Sequence, residues 1–202
     1  MKQKATVSIV MGILLTLAIP AMVSASSSYY VQPGDTMWII ASKYKIGLSE
    51  IIEANDQIVN PDLIYPGQEI TIPKIERIKH IEHQVIQLTN EERAKNGLPP
   101  LRPNWQLSRV ARYKSEDMNT NHYFSHQSPT YGSPFNMMQD FGISYRAAAE
   151  NIAKGQQTPY QVVQAWMNSS GHRKNILNGN FTHIGVGYDP DGNYWTQMFI
   201  SK

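Results

Sequence analysis

The sequence predicts an α+β protein of two unequal domains, helices packed on sheets, and three observations predict it. The first is an uneven charge: residues 26–73 carry two basic and six acidic groups, residues 74–202 fourteen and ten. The second is a strand-helix-helix-strand order across the short acidic segment. The third is a run of amphipathic helices ending in two alternating strands, "HIGVGYDPDGNYWTQMFIS", around an Asp-Pro-Asp-Gly turn.

In chain order, "MKQKATVSIVMGILLTLAIPAMVSA" opens with two lysines, continues as an apolar run and ends in Val23-Ser24-Ala25. It reads as a secretory signal, residues 1–25, cleaved after Ala25; the competing reading is an uncleaved membrane anchor, which Pro20 and the small-residue site argue against. No cysteine follows to carry a lipid, so no stable membrane anchor is expected after cleavage. The chain has no cysteine at all, which excludes a disulfide scaffold and thiolate chemistry. Without Lys2 and Lys4 the basic and acidic counts are equal, so nothing argues for nucleic acid as a partner.

In residues 26–73, Tyr30-Val31-Gln32 alternates as a short strand and Pro33-Gly34 breaks it. Asp35 or Thr36 caps a helix carrying Trp38, Ile39, Ala41 and Tyr44. A second helix runs from Ser49, as its cap, to about Asn55. Turns at Pro61 and Pro66-Gly67 lead to a strand from Glu69 to Ile72. The stretches "VQPGDTMWIIA", "NPDLIYPGQ" and "ITIP" resemble the landmarks of a LysM module. The resemblance implies binding of N-acetylglucosamine polymers such as peptidoglycan or chitin. The residues it points to are Gly34, Asp35 and Thr36 on one loop and Pro61, Asp62, Leu63 and Ile64 on another. A single module binds weakly, so multivalency is expected to matter.

Residues 74–83 read as a short helical linker, since they lack the Gly, Ser and Pro of a flexible one. In 84–202, "QVIQLTNEERAKNG" is a helix stopped by Asn96-Gly97, and a second is capped by Asn104. A third starts at Thr158-Pro159, with Gly171 as its end. "NEER", "YFSHQSP", "ENIA", "WMNSSGHRKNIL", "IGVGY" and "YWTQ" together resemble a bacterial CAP (SCP-like) domain. That family's fold is a three-layer αβα sandwich with a central cleft.

Carried over by position, the resemblance places His126, Glu150 and His172 in the cleft. Ser169 stands where many members have a second glutamate, and Ala149 where a glycine is usual. Two imidazoles and a carboxylate leave three chemistries open: a divalent metal site, zinc for example; an acid/base pair; or a buried polar cluster. No cofactor follows with certainty. Ser125, Ser128, Ser169 and Ser170 lie near the histidines in sequence, but no nucleophile signature surrounds them. His122, four residues before His126, has no cleft counterpart and is expected exposed at a helix end. The functional expectation is an exported protein of the cell wall or spore envelope, with other envelope or spore-coat proteins as further partners. The alternative is a wall- or protein-directed hydrolase using His126, Glu150 and His172.

Overall fold

A computed structural model describes residues 27–73 and 75–202, apart from the side chains of Ser49 and Glu76. The expected signal segment lies outside the described residues. Among the described residues no helix is long and apolar enough to cross a membrane.

The small domain is a two-stranded antiparallel sheet, β1 (Ser27–Tyr30) and β2 (Glu69–Ile72), packed against α1 (Met37–Tyr44) and α2 (Leu48–Glu53). Thr36, not Asp35, caps α1, its hydroxyl accepting from the Ile39 N–H at 3.1 Å. The core takes Met37, Ile40 and Ala41 from α1, with Val31, Ile46, Ile51, Ile70 and Ile72. Trp38 and Ile39 lie on the solvent side at 58% and 41% exposure. Three-residue spacing aims Met37 and Ile40 at the sheet, and Trp38 is turned away with its neighbour. Helix α2 begins one residue before Ser49, at Leu48, after the N-cap residue Gly47.

The large domain begins with α3 (Glu76–Lys95), a single helix of 20 residues. A four-stranded sheet follows in the order β3-β5-β6-β4, from β3 (Arg102–Pro103), β4 (Ala147–Lys154), β5 (His183–Asp189) and β6 (Tyr194–Ser201). Only the β3–β5 pair is parallel. One face is covered by α4 (Trp105–Thr120) and α5 (Pro134–Asp140), the other by α3 and α6 (Pro159–Met167). The arrangement is a three-layer αβα sandwich.

Strand alternation divides the core. Ile184, Val186, Trp195 and Phe199 join Val85, Val162, Val163 and Trp166 on one side. Met198 and Ile200 join Leu107, Val110, Met137 and Met138 on the other. Helix α4 lies directly on β5 because Gly185 and Gly187 present no side chain to it; a Cβ on Gly185 would come within 2.7 Å of the Leu107 Cβ. Gly171 does not end the third helix. Helix α6 stops at Met167, and α7 (Ser170–Ile176) starts almost at once with Gly171 inside it.

The domains meet at α4. The Leu48 N–H donates to Tyr113 Oη at 2.5 Å. Arg112 donates to Glu50 Oε1 at 2.8 Å and grips Glu82 of α3 with two further N–H groups, at 2.8 and 3.1 Å. Gly47 rests on the Tyr113 ring so closely that a Cβ there would fall 2.7 Å from Tyr113 Cζ.

Candidate functional site

Strand β4 is an edge strand, and the cleft forms over that edge. Its alternation sends Glu150 toward α4 and Asn151 toward α7, as their register partners Met198 and Gln197 require. Ala149 sits opposite Phe199 in unbroken register, so the residue usual there as glycine causes no bulge.

Glu150 is buried and accepts from His126, whose Nδ1 lies 2.7 Å from Oε1. The His126 ring is half exposed at 53%, against 1% for the Glu150 side chain. With Glu150 ionised and the ring neutral, Nδ1 carries the proton and Nε2 is left as the acceptor. Burial pushes the Glu150 pKa up, opposed by the His126 bond and by the Lys114 charge. Its second oxygen, Oε2, is buried and receives no hydrogen bond among the described residues.

His172 approaches from α7, on the far side of β4. Asn151 fixes that helix: its amide donates to the His172 carbonyl at 3.2 Å and to Gln197 Oε1 at 3.0 Å, while its oxygen accepts from Asn175 at 2.9 Å. Gln197 passes the chain on to Thr89 of α3 at 2.8 Å. Burial lowers the His172 pKa, and the charge of His126 adds to the effect. The structure brings His126 and Glu150 into contact, while His172 is tied in through its backbone carbonyl on Asn151 and through the charge it feels from His126.

Two residues of α4 that motif matching does not mark complete the cleft. Lys114 is fully buried, donating to Tyr123 Oη at 2.9 Å and to the His126 carbonyl at 3.1 Å. Asp117 accepts from the hydroxyls of Tyr123, Ser128 (2.7 Å) and Thr130 (2.6 Å) and from the Asn121 amide (2.8 Å). Burial works to raise the Asp117 pKa, and these bonds outweigh it, holding the carboxyl below its ordinary range. Together Lys114 and Asp117 pin the loop that carries His126.

Two of the nearby serines are already engaged. Ser128 is buried and committed to Asp117, and Ser125 accepts from the Gln127 N–H at 3.1 Å. Ser169 is the N-cap residue of α7 and makes no side-chain cap bond. His122 is exposed just beyond α4, with a φ of 52°. Among the described residues no three His, Cys, Asp or Glu side chains are grouped as a metal site, and the Nδ1 of His126 is already engaged. A carboxylate on Nδ1 leaves Nε2 as the free donor of His126, and the contact present in the structure is the imidazole-carboxylate pair.

In the small domain, Gly34 takes a φ of 89° in an exposed turn. The Asp35 carboxylate accepts from Tyr29 Oη at 2.6 Å and from the Gln32 N–H at 2.7 Å, which holds it below the ordinary carboxylate range. Asp35 and Thr36 thus fix the turn and the helix start. On the second loop Asp62 is exposed, Pro61 half-buried, and Ile64 packs on the core. Leu63, 52% exposed, borders a groove of about 570 Å³ with Val59, Asn60, Tyr65 and Gln68. Val59 and Tyr65 were not expected there; an exposed tyrosine just before Pro66-Gly67 is the signal that marks the groove in sequence.

Comparisons with known proteins bear on both domains. The model of the cysteine-rich secretory protein family, CAP, matches residues 86–200, and the LysM domain model matches residues 29–73. Over 121 residues the chain is 66% identical to the uncharacterized protein YkwD of Bacillus subtilis (strain 168), covering 60% of this chain and 47% of that one. A crystal structure of an extracellular protein containing a SCP domain from Bacillus anthracis aligns with a TM-score of 0.59 at 40% identity, covering 68% of this chain and 47% of the other. Over 45 residues the chain is 47% identical to the spore coat assembly protein ExsA of Bacillus cereus, covering 22% of this chain and 7% of that protein. The chain spans less than half the length of each of these three proteins.

Proposed function

We propose a wall-attached role for this chain, which belongs to the cysteine-rich secretory protein (CAP) family and carries a LysM domain ahead of its CAP domain. In this reading the protein is exported to the cell wall or spore envelope. Its LysM module binds N-acetylglucosamine-containing peptidoglycan and presents the CAP cleft beside the polymer. The observation that carries the reading is the LysM module, whose two candidate loops include the exposed residues Gly34, Thr36, Asp62 and Leu63. The likeness to a spore coat assembly protein, confined to the LysM segment, supports a spore envelope as one setting. Gly34, Asp35, Thr36, Pro61, Asp62, Leu63 and Ile64 are the proposed glycan contacts, Asp35 and Thr36 acting through the backbone they hold. Purified protein is expected to pellet with isolated peptidoglycan, and Leu63→Asp to weaken that sedimentation. Sedimentation equal to that of a protein lacking any LysM module sinks the proposal.

A second reading, hydrolysis, is favoured by one observation: a buried Glu150 holds a half-exposed His126 by its Nδ1. That arrangement supports a general base, with Nε2 able to take a proton from water and Glu150 stabilising the imidazolium that forms. His172 would then contact the substrate or the leaving group. Release of soluble fragments from labelled peptidoglycan or peptide, abolished by Glu150→Gln and by His172→Ala with folding intact, is the expected result. Absence of turnover leaves the cleft a ligand-holding or regulatory surface.

A further inference from the structure

The seam between the two domains encloses a groove of about 490 Å³. Leu48 and Ile52 of α2, Tyr113, Glu116 and Asp117 of α4, and Tyr131 and Phe141 line it; of the two acids Asp117 is already satisfied by four donors. Residues of both domains line the space. Most of that surface is apolar or aromatic, yet its charge is unbalanced. Glu116 is half-buried there and faces Glu53, Glu50 and Asp189, with Arg112 as the opposing cation. Arg112 is already engaged by Glu82 and Glu50. No hydrogen bond or ion pair reaches the Glu116 carboxylate among the described residues. Burial first, and then the three neighbouring carboxylates, push its pKa up to about 7.

Apolar walls around an uncompensated carboxylate select a cation carried on an apolar stem. A bare metal ion is a poorer match, because the surrounding carboxylates are not grouped as a metal site. We propose that the seam groove binds a primary ammonium group on an aliphatic stem, such as a lysine or other diamino-acid side chain of a wall peptide presents. Glu116 receives the ammonium, and Ile52, Tyr131 and Phe141 pack on the methylenes. Naming a wall peptide as the source rests on the wall-attached reading above; the chemistry of the groove does not. On that reading the LysM module holds the glycan and the seam holds the peptide attached to it.

The probe is Nα-acetyl-lysine methylamide, followed by NMR on the whole protein. It is expected to shift the Ile52 methyl and the Tyr131 and Phe141 ring signals, saturating in the millimolar range. The Nε-acetylated probe keeps the stem and loses the charge, and it is expected to bind about tenfold more weakly. Glu116→Gln, which relieves like-charge crowding and so leaves the fold intact, is expected to abolish that preference. Equal binding of the two probes, a preference that survives Glu116→Gln, or shifts confined to other surfaces overturns the proposal. Chitin-oligosaccharide binding, read at Leu63 and Tyr65, tests the wall reading separately. Its loss with ammonium binding intact sinks that reading alone, whereas glycan binding without ammonium discrimination sinks the groove alone.

Discussion

Helix α4 has two polar sides that handle buried charge in opposite ways. Toward the loop that carries His126, Asp117 is surrounded by four donors, and Lys114 donates to a hydroxyl and a carbonyl. Toward the LysM module, Arg112 is shared by Glu82 and Glu50, while Glu116 feels the charge of Glu53, Asp189 and that same Glu50 and, among the described residues, has no hydrogen bond of its own. The first set is closed, because donors and acceptors match. The second leaves a surplus of negative charge. A closed network fixes geometry, which suits a loop that must hold an imidazole against Glu150. A surplus leaves a potential that a proton or a ligand can answer, which suits a seam.

The strongest way to break this contrast is at Arg112. Arg112→Met leaves Glu82 buried without its partner, and losing half of a buried pair costs about 3–5 kcal/mol. Urea denaturation should show that loss, and the double variant Arg112→Met with Glu82→Leu should regain most of it. A loss near zero for the single variant would mean that the seam is wetter than the contacts imply. Asp117→Ala comes next. It strands three hydroxyls and an amide, but water reaches part of the loop, so roughly 3 kcal/mol is expected. The same change should broaden the His126 ring signals while leaving LysM docking intact. Unbroadened signals would show that the loop is held by something other than Asp117.

The two domains were legible in the sequence because each follows motifs of fixed spacing. His126 and Glu150 do meet, at 2.7 Å. Lys114 and Asp117 could not be read in the same way. On a helix, a lysine and an aspartate three apart look like a solvated face, and here the 121–133 loop returns over that face and buries them. Trp38 shows the opposite case. Its hydrophobicity suggests burial, but a core this small has room only for Met37, Ile40 and Ala41 from α1. The seam was illegible too, since nothing in "KIGLSE" says that Gly47 will rest on a tyrosine 66 positions further on. Long-range pairing of that kind is decided by the shape of both partners, not by the local pattern of either.

The smallest effect expected, and the one that most sharpens the contrast, concerns pH. Glu116 titrates at about 7 in the folded protein against an ordinary value of 4.5. Between those values the folded state holds a proton that the unfolded chain has released. Its contribution to stability is therefore fully present below about pH 4.5, falls as pH rises through the window, and is lost above about pH 7. Glu116→Gln removes the titration. Near pH 8 the variant should be more stable by about 1 kcal/mol, a figure discounted for the solvent that screens a half-buried group. Near pH 4.5 the two proteins should denature alike. A gain of the same size at both pH values would trace to packing rather than to charge. If the surplus is electrostatic, an ammonium ligand must relieve it as a proton does. Nα-acetyl-lysine methylamide should then raise the stability of the unaltered protein near pH 8 and leave that of Glu116→Gln unchanged.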